Sequence, residues 1–322
     1  MAHDLILPDA SSLSLPALVA DSDERAGVRF LEFFAATIRN PHTRRAYSQA
    51  VGAFIAWCED EAGIPSLTAV QPLHVAAWID LQAREHAAPT AKQRLAALRH
   101  LFDWLVTGQV IPINPAGSVR GPRHHFIKGK TPVLDAAEAR QLLDSIDVST
   151  QAGLRDRALI ALMVFSFARV GAALGMTVAD VYTQNQRLWV RLREKGGKRH
   201  EMPCHHTLDD YLHAYLDGTG IGEDAKGPLF RTIGRGTGKL THTPLPQANA
   251  YAMIQRRAAV AGIGMKISNH TFRATGITAY LKNGGTLENA AAMANHASTR
   301  TTQLYDRRRD EISLGEVERI RV

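Results

Sequence analysis

A basic stretch without acidic residues divides this chain near its middle. Between Trp104 and Leu134 there is no aspartate or glutamate, although several prolines and glycines occur. The cationic and imidazole side chains of this stretch are Arg120, Arg123, His124, His125, Lys128 and Lys130. Proline and glycine disfavour a packed helix or strand, and charge of one sign favours a nearby polyanion. We therefore predict a basic linker over residues 113–132; a solvated loop without a partner is the alternative.

Length and charge agree with this division. A chain of 322 residues exceeds what one ordinary hydrophobic core serves and suits two domains. The formal net charge of +7 favours a polyanionic partner. Only two cysteines occur, Cys58 and Cys204, so we expect a reducing compartment and no structural disulfide. Since neither a signal peptide nor an apolar run of about 20 residues is visible, we expect a cytoplasmic protein without membrane contact.

The part before the linker has a helical pattern. Residues 1–25 are rich in Ser, Asp, Ala and Pro and are predicted to be a flexible tail, whereas residues 26–112 favour a small bundle of helices. Asn40-Pro41-His42-Thr43 predicts the end of one helix and the start of another, with Thr43 as its N-cap. Thr90 is expected to open a further helix, whose apolar stripe consists of Leu95, Leu98, Leu101, Phe102 and Leu105.

The part after the linker, residues 133–322, is predicted to combine helices with a small sheet. Asp135 and Glu138 have the spacing of a capping box at a helix start. Residues 154–167 are apolar on nearly every face and predict a buried helix. Residues 187–193 alternate as a strand does, and Gly196-Gly197 supplies the turn of a hairpin. After this hairpin we expect only helices.

Six polar residues of the second part occur in an order with catalytic meaning. They are Arg169, Lys195, His270, Arg273, His296 and Tyr305. His270 and Arg273 are one helical turn apart, so both side chains would project from the same helix face. Each residue alone would more often be a surface or packing residue. Only the combined set carries a chemical interpretation.

The cationic members of this set could stabilise the reaction of a phosphodiester bond. Neither an acidic triad for two metal ions nor a Gly-x-x-x-x-Gly-Lys phosphate loop is apparent, so side chains would supply the positive charge. The guanidinium groups of Arg169 and Arg273 can each match two phosphate oxygens at once. Lys195, expected at the tip of the hairpin, could protonate a leaving oxygen.

The remaining members could supply the nucleophile and the proton transfer. Tyr305 would attack phosphorus and form a covalent phosphotyrosine, which permits rejoining without ATP. His270 is suited to proton transfer, and His296 to hydrogen bonding with the phosphate. The adjacent residues Cys204-His205-His206 cannot all converge on one ion, so we expect no metal and no cofactor.

The order Arg, Lys, His-x-x-Arg, His, Tyr resembles the catalytic set of the tyrosine recombinase (phage integrase) family, including its Xer-like members. Thr43-Arg44-Arg45-Ala46-Tyr47 resembles the opening of the family's helical, SAM-like core-binding domain, which would occupy residues 26–112. The catalytic domain would occupy residues 133–322. The resemblance implies a mainly α fold with a small β-sheet in the catalytic domain, arranged as a two-domain C-shaped clamp around DNA.

The resemblance also implies an activity. Family members are site-specific DNA recombinases that cut through a 3′-phosphotyrosine link and exchange strands through a Holliday junction, which suggests the integrase of a phage, island or transposon. The implied partner is double-stranded DNA with specific sites, bound by a homotetramer on two sites, with a monomer in the free state and accessory proteins in some reactions. The amphipathic C-terminal tail, residues 313–322, would dock on a neighbouring protomer.

Two positions depart from the family pattern. Ala172 stands where the family usually has an acidic residue, three places after the first arginine. Since that acid helps to hold neighbouring groups, another residue must do so here or the site is less rigid. Ala294-Asn295-His296 replaces the usual Leu-Gly-His. Neither change removes a group that takes part in the reaction.

Basic residues outside the catalytic set are candidates for contact with the DNA backbone. In the first domain, Arg44 and Arg45 lie near the start of a helix. Lys92 and Arg99 are seven residues apart and share one flank of a helix. In the linker the candidates are Arg120, Arg123, Lys128 and Lys130.

Two other functions would use the same features. A catalytically silent, architectural DNA-binding protein would be expected to lose some of the six catalytic residues, yet all six are present. A type IB topoisomerase-like enzyme shares the phosphotyrosine chemistry but relaxes supercoils without strand exchange. The core-binding domain and the tail after Tyr305 favour a recombinase.

Neutralising Arg120, Arg123, Lys128 and Lys130 together should weaken DNA binding to a similar degree for all sequences. Each lost phosphate contact should lower the log–log salt dependence by about one unit, because fewer counterions are released on binding. Fluorescence anisotropy titrations of a specific and a random duplex at several salt concentrations measure this slope. An unchanged slope would mean that the linker is only solvated.

Overall fold

The computed structural model describes residues 15–22, 24–123, 129, 131–194 and 197–306. The chain forms two compact units, one within residues 1–125 and the other within residues 126–322. In the described ranges helices dominate both units, and antiparallel sheets occur in the second. The prediction of a mainly α fold with a small β component is therefore confirmed. Across the same ranges, no helix has the length and apolar character needed to cross a membrane.

The first unit is a helical bundle around one hydrophobic core. Its helices are α1 (Ala17–Ala20), α2 (Glu24–Glu32), α3 (Pro41–Asp60), α4 (Pro72–Glu85) and α5 (Ala88–Thr107). Apolar side chains at helical spacing on α3, α4 and α5 meet in this core, and all five members of the predicted stripe on α5 are buried.

The flexible tail predicted for residues 1–25 is wrong for its described part, residues 15–22 and 24–25. Leu18 and Val19 of α1 are buried in the core of the first unit. The backbone N–H of Leu18 also donates to the Glu59 carboxylate on α3 (2.7 Å). Two adjacent apolar residues and one hydrogen bond therefore attach this segment to the core of the first unit. Residues 1–14 lie outside the described ranges.

Two helices of this unit, α3 and α5, have a proline in their first turn and begin a few residues earlier than predicted. α3 begins at Pro41 and its N-cap is Asn40, not Thr43, because the Asn40 side chain accepts hydrogen bonds from the N–H groups of His42 and Thr43. α5 begins at Ala88 rather than at Thr90 and has a proline in its first turn. Proline is favourable there, since first-turn N–H groups have no partner within the helix.

The first part of the predicted linker is packed, contrary to the expectation of an open segment. Ala116 and Val119 are buried in the core of the first unit. Arg99 on α5 donates hydrogen bonds to the carbonyl oxygens of both residues. Asn114 returns a bond to the Arg99 carbonyl (3.0 Å). Side chain to backbone bonds thus fix this segment without a helix or strand.

The second unit combines helices with two antiparallel sheets. Its helices are α6 (Ala136–Asp144), α7 (Gln151–Phe165), α8 (Val170–Leu174), α9 (His206–Thr219), α10 (Gln247–Val260), α11 (Asn269–Lys282), α12 (Leu287–Met293) and α13 (Thr299–Gln303). Its strands are β1 (Val181–Gln184), β2 (Arg187–Arg193), β3 (Arg199–Pro203), β4 (Arg231–Ile233) and β5 (Leu240–Pro244). β2 is central in the first sheet, and β4 pairs with β5 in the second.

Local sequence signals account for most of these elements. The capping box of Asp135 and Glu138 is present at the start of α6, and the predicted hairpin is formed by β2 and β3. The expectation of only helices after this hairpin is wrong, because β4 and β5 pair there. Both strands are short and largely polar, so they lack the alternation that identified β2.

The buried helix α7 lies at the centre of the second unit and packs against α9 and α11. It ends at Phe165, two residues before its predicted end, because Phe167 has a left-handed backbone (φ 53°) that cannot continue a helix. Gly276 lets α11 touch the last turn of α7: a Cβ at this position would overlap the carbonyl oxygen of Val164. This contact places α11 directly beside the segment that follows α7.

Gly276→Ala should destabilise the second unit by about 3 kcal/mol, which is typical of an overpacked core. The added methyl group has no space between the two helices. Urea unfolding followed by circular dichroism measures the loss. Gly171→Ala on α8 is the matched control, because a Cβ there would meet no atom within 4 Å. Equal stability of the two variants would mean that α7 and α11 can separate at no cost.

Candidate active site

Five of the six predicted catalytic residues converge in the second unit. Arg169 is the N-cap of α8, His270 and Arg273 lie on α11, His296 follows α12, and Tyr305 follows α13. Their side chains come from four segments, of which the last two lie close together in sequence and the others far apart. Packing of α11 against α7, and hydrogen bonds from α11 to the carbonyls of Ala294 and Tyr305, bring these segments together.

The sixth residue, Lys195, lies outside the described residues, as does Gly196. The residues on either side form a tight turn: the N–H of Gly197 donates to the carbonyl of Glu194 (3.1 Å), and Gly197 has a positive φ of 76°. The predicted pairing of β2 with β3 is present, whereas Gly196 of the predicted turn lies outside the described residues. The catalytic role of Lys195 stays a prediction.

Tyr305 is buried and held on two sides. Its side chain is 8% exposed, and its hydroxyl oxygen lies 2.6 Å from Nε2 of His270 in the same chain. The Thr278 hydroxyl on α11 donates to the Tyr305 carbonyl (2.9 Å), which fixes the backbone at this residue. The N–H of Gly129 donates to the Leu304 carbonyl (3.2 Å), so the end of the predicted linker contacts the same segment.

His296 is oriented by a threonine that the sequence analysis did not single out. Its Nδ1 lies 2.8 Å from Oγ1 of Thr302, which is fully buried. The His296 ring is nearly parallel to the ring of Tyr305, with centroids 6.0 Å apart. Asn295, just before it, has a left-handed backbone (φ 46°). Asparagine tolerates this conformation best among residues with a side chain, which explains why it can replace the usual glycine.

Arg273 is almost fully buried, at 1% exposure, and its guanidinium group binds the backbone on two sides. Nη1 donates to the carbonyl of Phe167 and Nη2 to that of Ala294. Its Nε–H is buried without a partner among the described residues. Burial lowers the pKa of Arg273 to about 10, and the positive charge of Arg169 acts in the same direction. Arg273 is therefore a rigid cation beside Tyr305.

Arg169 forms an ion pair that the sequence analysis missed. Its Nη1 contacts the carboxylate of Glu194, directly after β2. The Arg169 side chain is 37% exposed, whereas that of Glu194 is 4% exposed. A signal was present in the sequence: Leu188, Val190 and Leu192 face inwards, and Glu194 occupies the next inward position of the same alternation.

Burial and positive charge set the protonation states of the site. Burial lowers the pKa of His296 to about 4, with a further contribution from the charges of Arg273 and Arg169. Burial and the same two arginines also lower the pKa of His270. Burial raises the pKa of Tyr305, although both arginines act in the opposite direction. At neutral pH the site therefore holds two neutral imidazoles and a protonated phenol.

The predicted DNA-binding residues of the first unit have different environments. Arg44 donates through Nε and Nη2 to the carbonyl of Ile38 (3.1 and 2.8 Å), and Arg99 binds two carbonyls of the packed segment. Both guanidinium groups thus stabilise the fold. Arg45 and Lys92 are exposed. In the linker Arg120 and Arg123 are also exposed, and Lys128 and Lys130 lie outside the described residues.

The motif Cys204-His205-His206 has a packing role. The ring of His205 stacks on Phe165 at the end of α7, with centroids 4.4 Å apart. Burial raises the pKa of the Cys204 thiol to about 12. Throughout the described ranges, no group of three or more His, Cys, Asp or Glu side chains is placed to hold a metal ion.

Acidification should destabilise the protein partly through His296. Its pKa is lower in the folded than in the unfolded state, so the stabilisation is present above about pH 6.5 and is lost as the pH falls towards 4. Between pH 7 and pH 5, the unfolding free energy of His296→Asn should fall by about 2 kcal/mol less than that of the wild type. Urea unfolding at both pH values measures this, with His242→Asn, whose side chain is 91% exposed, as control. Equal losses in His296→Asn and the wild type would contradict it.

The chain matches known proteins over most of its length. Residues 132–311 match the model of the phage integrase family, and residues 28–109 match its N-terminal SAM-like domain. Tyrosine recombinase XerC of Xylella fastidiosa is 28% identical over 265 residues, which cover 82% of this chain and 85% of that protein.

Solved structures share the fold at low sequence identity. XerH site-specific recombinase bound to a palindromic difH substrate superimposes with a TM-score of 0.68 at 18% identity, covering 96% of this chain and 90% of that one. A lambda integrase tetramer bound to a Holliday junction gives a TM-score of 0.68 at 16% identity, covering 89% and 79%. Because the phage integrase model alone matches more than half of the chain, the chain belongs to the phage integrase family and is a tyrosine-type site-specific recombinase that cuts and rejoins DNA strands.

Proposed function

We propose that this recombinase cuts DNA through a covalent 3′-phosphotyrosine at Tyr305 and acts for a mobile genetic element. The observation that carries the mechanism is the 2.6 Å contact between the Tyr305 hydroxyl and Nε2 of His270, within one chain and beside Arg273. A nucleophile, a neutral base and a fixed cation are thus assembled before DNA is bound. Each chain would attack with its own tyrosine.

In the proposed mechanism, residues of this site supply the nucleophile, the proton acceptor and the proton donor of the cleavage step. The Tyr305 oxygen forms a bond to phosphorus, and its proton passes to Nε2 of His270, whose lowered pKa keeps it neutral and able to accept. The bond from phosphorus to the 5′ oxygen breaks, and Lys195 protonates that oxygen. Arg169 and Arg273 stabilise the charge on the non-bridging oxygens. Attack by the free 5′ hydroxyl of another strand reverses these steps and rejoins the DNA.

Two features support the proposed binding position of the scissile phosphate. The Nε–H of Arg273 is a buried donor without a partner in the described structure, and such donors are expected to be satisfied in the working state. His296 uses Nδ1 for Thr302, so Nε2 is the nitrogen left for a phosphate oxygen. Both groups adjoin the Tyr305 ring, where the scissile phosphate would bind.

Recombination requires two DNA sites and several protomers. A relative of this fold, lambda integrase, has been solved as a tetramer bound to a Holliday junction. We infer a homotetramer on two double-stranded sites here, with exchange through such a junction. Residues 313–322, which lie outside the described residues, would join protomers. Arg45, Lys92, Arg120 and Arg123 are exposed and available for the DNA backbone. We also propose backbone contacts for Lys128 and Lys130, which lie outside the described residues.

Tyr305→Phe should abolish covalent capture of DNA while binding stays nearly unchanged, because only the hydroxyl is lost and the cationic contacts remain. A suicide duplex with a nick near the cleavage site, incubated in excess EDTA and resolved on a denaturing gel, measures capture. Tyr280→Phe is the matched control, since Tyr280 belongs to the same hydrophobic cluster as Tyr305. Persistent capture by Tyr305→Phe would place the nucleophile elsewhere.

The same assay tests the cations and separates the enzymatic alternatives. Arg169→Ala or Arg273→Ala should each slow cleavage by ~10²-fold or more, as loss of a preorganised donor does. A strict requirement for magnesium in cleavage would contradict the mechanism. Relaxation of supercoiled plasmid without any exchange between two sites would identify a topoisomerase-like activity instead.

A further inference from the structure

The second unit lacks an acidic side chain at position 172 to hold Arg169. Ala172 lies on α8 and is 5% exposed, and its methyl group belongs to the hydrophobic core. The backbone at this position is fixed, since the N–H of Ala172 donates to the Arg169 carbonyl (2.9 Å). The backbone bond orients the main chain of Arg169 but leaves its long side chain free to rotate. The side chain therefore needs another partner.

Glu194, directly after β2, contacts this side chain. It follows β2 and faces the interior in the same alternation as Leu192. Its N–H donates to the Lys198 carbonyl (2.8 Å) and its carbonyl accepts from Gly197 (3.1 Å), so the turn holds its backbone in place. The carboxylate thus approaches Arg169 from a rigid base.

The geometry of the pair leaves Arg169 able to bind a ligand. A carboxylate as buried as that of Glu194 needs a cation beside it, and among the described residues Nη1 of Arg169 is its cationic partner. A guanidinium group has five N–H donors in a planar fork. In the described structure the guanidinium group of Arg169 makes a hydrogen bond only through Nη1, and the side chain is 37% exposed. One edge is therefore held while other donors stay available for phosphate oxygens.

The carboxylate also moderates repulsion within the site. Arg169 and Arg273 are close enough for the charge of Arg169 to lower the pKa of Arg273, after the larger effect of burial. Glu194 acts in the opposite direction and raises that pKa. Its negative charge thus offsets part of the repulsion between the two guanidinium groups before a phosphate arrives.

We propose that Glu194 is a positioning residue, which holds the guanidinium group of Arg169 in place for the scissile phosphate and substitutes for the acid missing at position 172. This inference rests on the proposed role of Arg169 in cleavage. In the described structure Glu194 contacts the guanidinium group of Arg169 and makes no hydrogen bond to Tyr305, so its loss should act through Arg169.

A double-mutant cycle tests this dependence. Glu194→Gln, which keeps the shape of the side chain, should slow single-turnover cleavage of the suicide duplex by about 10-fold or more, with little change in DNA affinity. In an Arg169→Ala background the same change should slow cleavage by less than about 2-fold, because the guanidinium group that Glu194 would position is absent. Glu201→Gln is the matched control: it breaks an Arg–Glu pair on the same sheet, that with Arg191 (2.6 Å), away from Arg169.

A second substrate distinguishes positioning from a structural defect. A methylphosphonate at the scissile position lacks one charged non-bridging oxygen and so needs less from Arg169. The penalties of Glu194→Gln and of Arg169→Ala should both shrink on this substrate. If Glu194→Gln fails to fold, Glu194→Asp takes its place in this test. Aspartate keeps the charge but is shorter by one methylene, so this variant should show the same pattern.

The possible results separate the inference about Glu194 from the proposed role of Arg169. Full activity of Glu194→Gln, or an equal penalty with and without Arg169, would overturn the positioning role while leaving the proposed cleavage mechanism intact. An equal penalty on both substrates would also overturn it. Wild-type cleavage by Arg169→Ala would instead refute the proposed role of Arg169, and the inference about Glu194 with it.

Discussion

The site depends on the hydrogen bonds that the buried guanidinium group of Arg273 donates. From α11 it binds the carbonyl of Phe167, just before Arg169, and that of Ala294, just before the turn to His296. One side chain therefore fixes two segments that carry other members of the site. Both carbonyls belong to or adjoin a residue with left-handed backbone, Phe167 or Asn295. The hydrogen bonds offset the strain of these conformations, which concentrates where function requires a defined geometry.

The remaining groups of the site balance attraction for phosphate against repulsion among themselves. Two guanidinium charges and one carboxylate leave a net positive charge, while burial and the arginines lower the pKa of both His270 and His296 and keep them neutral at neutral pH. Neutral imidazoles can accept a proton or a hydrogen bond without adding to the repulsion. The phenol of Tyr305 is buried and protonated, and in the proposed mechanism it attacks only after a base takes its proton. On that proposal the free protein holds its nucleophile inactive but in place.

Arginines of this chain serve two purposes that their sequence positions do not distinguish. Arg44 and Arg99 bind backbone carbonyls, and Arg99 in particular attaches residues 116–119 to α5. Arg120, only one residue beyond this segment, is exposed. A planar guanidinium group that always carries charge suits both tasks, because carbonyl and phosphate oxygens are recognised by the same donors. Which task an arginine performs depends on whether an unpaired carbonyl lies within its reach.

The sequence by itself determined the elements whose signals are local. Helical spacing identified the buried stripe of α5 and the burial of α7, strand alternation identified β2, and the order of the polar residues identified the five groups that converge. Tertiary structure alone decided the contacts between segments far apart in the chain. The pairing of Arg169 with Glu194, the bond of Thr302 to His296 and the end of α7 at Phe165 depend on neighbours that no local pattern specifies. The burial of Leu18 and Ala116 was missed for the same reason: composition describes a segment, whereas burial depends on the surface that the rest of the chain presents to it.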